Sequence, residues 1–258
     1  MTQFRIKRMQ MTGISIGIFH KKTPWMAAWW SAALPGLGHI CLGEYFKGFI
    51  LLTWEAYVNT KAHVNMAILY TFTGDFQAAH DVIDEGWALV YVSIFCFAIF
   101  DGYRMTIELN TYADLERKQK NRQFQFAKYS IWGVNYLSHK NPWAAAGWSA
   151  LFAGFGHIYN MKTLKGIILL GWLVVIIHLS HFPQGVIYTL TGRFEETRNL
   201  VDYHWLMFFP SIYVFGIWDA YNDAVEMNKL FEEAFKGHLR ERFSGGKKAH
   251  KFSIGGNN

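Results

Sequence analysis

Apolar positions along this chain gather into six blocks, three on each side of a charged middle stretch. In the first half they are Trp25–Cys41, Gly48–Tyr70 and Gly86–Phe100; in the second, Trp143–Tyr159, Gly166–Phe182 and Trp205–Trp218. A helix that crosses a bilayer needs about 20 mostly apolar residues, within a range of roughly 17–25. The second block of each half reaches that length, and the third reaches it with its flanking aromatic residues. The first is marginal and ends at Gly-x-Gly-His. Between the second and third blocks lie TGDFQAAHDVID and TGRFEETRNLVD. These predict short amphipathic helices, with Phe76, Ala79 and Ile83 on one face, lying on the external membrane surface.

The two halves are one pattern written twice. At an offset of 118 residues, Pro24–Asn110 aligns without a gap on Pro142–Asn228 and carries 33 identities in 87 positions. Even the flanks RMQMTGISIGIFHKK and FAKYSIWGVNYLSHK correspond. The expected fold is an all-α integral membrane protein: two tandem repeats of three hydrophobic helices each, with amphipathic interfacial helices. The predicted divisions are a basic amphipathic N-terminal segment (1–23), repeat 1 (24–110), a basic cytoplasmic linker with an amphipathic helix (111–141), repeat 2 (142–228) and a basic cytoplasmic tail (229–258). The N-terminal segment has a short apolar run and no A-x-A cleavage site, so it is expected to be retained.

Charge adds the orientation. Residues 1–22 hold five Lys/Arg and no acid, Tyr103–Asn141 seven against three, and the tail from Tyr221 seven against five. Ala67–Glu85 holds four acids and no Lys/Arg. Basic segments favour the cytoplasmic side, so N-terminus, linker and C-terminus are predicted there. An even number of crossings per half follows if the first block is a re-entrant wedge, which makes the repeats parallel. If the first block spans, the repeats are inverted. The net charge of +6 is spread over segments flanking the apolar blocks. Anionic lipid head groups are its expected partner, not nucleic acid. Cys41 and Cys96 have no metal or CxxC spacing and read as small core residues.

The repeated chemistry centres on PGLGHICLGEYFKG and AGFGHIYNMKTLKG. Ala28, Ala32 and Gly36 form a small-xxx-small stripe, as do Ala146, Ala150 and Gly154, and such stripes let helices approach closely. Gly38 and Gly156 suit a tight reversal. His39 and His157 are placed to donate to freed carbonyls, and Lys47 and Lys165, followed by Gly48 and Gly166, to snorkel toward head groups. The motif resembles the PGLG(H/Q)-x-Y-x-G-x-x-x-KG hairpin of bacterial membrane proteins, including two-transmembrane hairpin domains and the leaders of some sugar-type ABC permeases. The whole chain resembles a duplicated, uncharacterised membrane-protein family of Gram-positive spore formers. These resemblances imply a membrane hairpin and attach no activity.

Ionisable groups at membrane depth are functional candidates. Glu55, Asn59 and His63 share one helical face, with His181 and nearby His178 at the corresponding place in the second half. They define a candidate polar path or pocket, or hydrogen-bonding glue. Asp101, Tyr103 and Glu108, with Asp219, Tyr221 and Glu226, form a candidate cytoplasmic docking surface or interfacial anchor. No catalytic motif, metal-ligand spacing or cofactor-binding turn is present, so no catalytic residue, metal or cofactor is assigned. The leading expectation is a non-enzymatic scaffold or accessory subunit of a membrane complex, with a membrane-protein partner or a homo-oligomer as company. The alternative is a transporter or channel for a small solute or ion. An enzyme of lipid or envelope-precursor chemistry comes third.

Overall fold

The structure, a computed structural model, describes residues 9–12, 15–18, 20–119, 127–130 and 133–252. It is all-α in class and about 78% helical. The chain opens with a small antiparallel hairpin, β1 (Met9–Met11) and β2 (Ile16–Ile18), pairing Met9 with Ile18. Helix α1 (Pro24–Ala33) starts on a proline, whose missing N–H costs nothing in the first turn. The chain then breaks at Gly36, where φ is 104°, into α2 (Leu37–Leu42) and reverses into α3 (Tyr45–Ala62). His63 adopts a left-handed conformation and bends the path into α4 (Val64–Thr73). A short α5 (Phe76–Val82) leads to α6 (Glu85–Arg117), whose first turn is capped by Asp84 accepting from Trp87 N at 2.9 Å.

The second half follows with the hairpin β3 (Ala127–Ser130) and β4 (Gly133–Tyr136). Then come α7 (Pro142–Leu151), α8 (Phe155–Tyr159), α9 (Thr163–Leu179), α10 (Phe182–Leu190), α11 (Phe194–Leu200), α12 (Tyr203–Leu206) and α13 (Phe209–Phe252). The starts of α1 and α7, α2 and α8, α3 and α9, and α5 and α11 each differ by 118 positions, and both hairpins share one register.

Several expectations change. The linker carries strands at 127–130 and 133–136, residues 120–126 and 131–132 lie outside the described residues, and α6 runs unbroken through position 110, as α13 does through 228. The first apolar block of each half is two helices joined at a glycine, and the second is broken at His63 or His181. Ala32 is only half-buried and Ala150 is exposed, so the close face of α1 is Ala27 and Ser31 instead. A Cβ on Gly38 or Gly156 would come closer than 3.0 Å to the carbonyl oxygen of Ala27 or Ala145. These glycines hold backbone against backbone. Cys41 is buried as expected, but Cys96 lies exposed on α6.

Among the described residues one helix, α6, is long and apolar enough to cross a membrane. The number becomes three if the bent pairs α9 with α10 and α11 with the α12–α13 segment each count as one span. The main core joins both halves: Trp30, Leu37, Ile40 and Leu52 pack with Leu173, Ile212 and Phe215.

Candidate functional site

The reversal between α1 and α3 brings three ionisable residues to one place. His39 comes from α2, Lys47 from the first turn of α3 and Asp101 from the middle of α6. The His39 Nε2–H donates to Asp101 Oδ2 at 3.1 Å, and Lys47 Nζ pairs with the same oxygen. Arg104, one turn on, holds the other oxygen at 2.7 Å and also pairs with Glu108. The second half repeats the His–Lys–Asp set 118 residues on, but has Asn222 in place of Arg104. His157 donates to Asp219 at 2.9 Å, and Lys165 pairs with Asp219 as Lys47 does with Asp101. Here Asp223 enters as a second carboxylate, bound by Lys165 at 3.0 Å and Lys162 at 2.6 Å.

Both clusters are closed. His39, His157, Asp101, Asp219 and Lys165 are all buried, and only Lys47 and Arg104 reach the surface. A buried charge survives when it is paired and hydrogen-bonded, and here each carboxylate has two or three donors. Lys165 therefore does not snorkel, and the histidines close on carboxylates instead of freed carbonyls. Of the expected docking residues, Asp101 and Asp219 are themselves buried among these partners. Glu226 is held by His20 and Lys22, while Tyr103 and Tyr221 stand edge-on to Trp25 and Trp143 at 5.3 and 5.1 Å. Of the expected docking set, Glu108 is the most open side chain.

One ligand atom each from His157, Asp219 and Asp223 lies within 4.8 Å of the others, a set that could hold a cation. Sequence spacing did not reveal it, because the helices bring together residues some 60 positions apart. The ammonium groups of Lys162 and Lys165 already neutralise the two carboxylates, so an incoming ion would have to displace Lys165 from Asp219.

A clamp outside the clusters fixes the entry to each half. Asn110 exchanges two 2.8 Å hydrogen bonds with the backbone of Lys22, and Asn228 exchanges two of 2.7 Å with the backbone of Lys140. The lysine side chains differ. Burial opposes the Lys22 charge, but Cys41 and Glu226 face it and hold its pKa above the usual lysine value. The Lys140 ammonium lies over the rings of Tyr136 and Tyr159, 5.3 and 5.2 Å from their centroids, and burial pulls its pKa down.

The expected polar path separates into two places. Glu55 and Asn59 are buried, and Asn59 donates to Glu55 at 3.1 Å and to Asn65 at 3.0 Å. Asn65 donates to the His204 carbonyl at 2.9 Å, and the His204 ring meets Thr60 at 3.0 Å and stands 6.5 Å from His63. His178 and His181 instead line a separate, mostly apolar cleft of about 300 Å³ with Phe152, Val174 and Ile177. Glu55 and Asn59 thus hydrogen-bond within a network that joins the halves. Asn65 and His204 belong to it unannounced, since neither has a like residue 118 positions away. Compared with known protein families, with characterised proteins and with solved structures, the chain finds no match.

Proposed function

We propose that this chain is a multi-pass cell-membrane protein, made of two tandem parallel repeats, that serves as a non-enzymatic scaffold or accessory subunit of a membrane complex. One observation carries the reading of its role. His39, Lys47 and Asp101 are ionisable residues kept in both halves, and in both they are spent on one another. An active site keeps a reactive group open to substrate. These clusters lock α2, α3 and α6 together, and α8, α9 and α13 together.

Membrane embedding is supported by α6. Its most apolar 18-residue window has a mean hydropathy of 1.5, yet only 17% of it is buried inside the protein. Leu89, Phe97 and Phe100 face outward, a costly arrangement in water and a favourable one in lipid. In each half the α1–α2 or α7–α8 hairpin is the short re-entrant wedge. The crossings are then α3 with α4 and α6, and α9 with α10 and the α12–α13 segment. The hairpins β1–β2 and β3–β4, the linker and the tail lie on the cytoplasmic side. The resemblance of the repeated motif to bacterial membrane hairpins accords with this.

Transport would need a continuous polar route, and Glu55 and Asn59 hydrogen-bond inward, to each other and toward Asn65. The test is reconstitution into proteoliposomes with ion- and proton-sensitive dyes. The scaffold reading predicts no flux above empty vesicles for the wild type. A flux that disappears in Glu55→Ala and His63→Ala proteins of intact fold would replace it with the transporter reading.

A further inference from the structure

The contact between the two halves is one-sided. Trp30 on α1 is 8% exposed because Phe215 and Trp218 of α13 cover it, with ring centroids 5.0 and 5.1 Å away. Trp148, its counterpart on α7, is 50% exposed. Ile40 is 0% exposed and its counterpart Ile158 40%. The covering face shows the converse, with Phe215 at 0% and its counterpart Phe97 at 49%. The first half thus lends its α1–α3 face and keeps its α6 face open. The second half uses its α13 face and leaves its α7–α9 face open.

An interface that joins unlike faces of like units is heterologous, and it leaves one complementary face free at each end. The cleft lined by Val174, Ile177, His178, His181 and Pro183 makes this concrete. Its residues are the counterparts of Ala56, Asn59, Thr60, His63 and Asn65, the seat in which His204 is held in the first half. That seat is filled once and open once.

We infer that a second copy of this chain docks there. Its α6 face, with Trp87, Val90 and Phe97, would lie on α7–α9 of its neighbour as α12–α13 lies on α1–α3 within one chain. A polar contact marks the register. Ser211 Oγ donates to the Ala33 carbonyl at 3.0 Å across the halves, while its counterpart Ser93 turns back to Leu89 O. In the assembly Ser93 donates instead to Leu151, the counterpart of Ala33. Lipid could cover both faces, but it would not reproduce the paired Trp and Phe faces or the serine contact. Such contacts propagate in one direction, giving a closed ring or an open row in the membrane plane. The inference rests on membrane embedding, which is read separately below.

The test uses the full chain in native membranes, with exposed Cys96 replaced by serine and buried Cys41 kept. Ser93→Cys and Leu151→Cys are combined, or placed on separate co-expressed chains, and treated with a short bis-methanethiosulfonate reagent. Both positions are exposed, so the fold should tolerate them. Ala33→Cys with Ser211→Cys serves as the internal control. The expected result is a ladder of covalent dimers and larger multiples for the double variant and dimers only for the mixed chains. Each single variant alone should give none, and the control should link within one chain. Monomers only, beside an efficient control, would overturn the inference and leave lipid on both faces. Self-linking of Ser93→Cys alone would overturn it in favour of a symmetric contact. Recovery of the chain outside the membrane pellet would instead remove the membrane reading, whatever the ladder shows.

Discussion

Replacing Lys165 by methionine should damage the protein far more than replacing Lys47 in the same way. The two lysines hold corresponding positions, but their surroundings differ. The Lys165 side chain is 1% exposed and is shared between Asp219 and Asp223. Lys165→Met would leave two buried carboxylates with Lys162 and the His157 proton as compensation. Breaking a buried ion pair by removing one partner costs roughly 3–5 kcal/mol, because the remaining charge cannot reach water. The Lys47 side chain is 35% exposed, and Asp101 would keep Arg104 at 2.7 Å and His39 at 3.1 Å. A loss of about 1 kcal/mol or less is expected there, as for partly exposed pairs. Denaturant titration in mild detergent, followed by tryptophan fluorescence, reads both. Asp223 would keep Lys162, so the stranded charge is Asp219; adding Asp219→Asn to Lys165→Met removes it and should return part of the loss, a coupling of about 1 kcal/mol or more. Equal losses for the two lysine variants would refute the account of the clusters as structural locks, as would a Lys165→Met protein as stable as wild type.

Gly38→Ala and Gly156→Ala should each destabilise by about 1–3 kcal/mol, since the facing atom is a backbone carbonyl that cannot yield. Gly147→Ala, an open mid-helix site on α7, should stabilise by up to about 1 kcal/mol in the same titration. Asn228→Ala removes both bonds to the Lys140 backbone and should cost about 1–3 kcal/mol, seen also as faster proteolysis ahead of α7. Glu55→Gln keeps an acceptor for Asn59 and should leave stability nearly unchanged, whereas Glu55→Leu should lower it measurably by taking one of the two acceptors from the buried Asn59 amide.

The helical class and a reversal near the repeated glycines were legible because period, glycine placement and the 118-residue offset all act locally, whereas the breaks at His63 and His181 carry no such signal. The offset also held the clue to the clusters. His39, Lys47 and Asp101 are ionisable residues at the edges of apolar blocks that return as His157, Lys165 and Asp219. Read together they predict a meeting point; read singly they suggested a turn donor, a snorkelling cation and an anchor. The Asp223–Lys162 pair was not legible, because their counterparts are Met105 and Glu44 and no repeat announces them. The network of Asn59, Asn65 and His204 was hidden for a related reason, since it forms only where unlike parts of the two halves meet. The strands at 9–11, 16–18, 127–130 and 133–136 went unread because their alternation is too short to separate from a basic amphipathic helix.

The orientation of the two halves is the claim on which the functional reading depends most. Single cysteines at Lys118, Asp81 and Glu195, in a Cys96→Ser background, can be treated with an impermeant maleimide in intact cells. Parallel repeats with a cytoplasmic linker predict labelling at positions 81 and 195 and protection at 118 until the cells are opened. Labelling at 118, or opposite outcomes at 81 and 195, would contradict it.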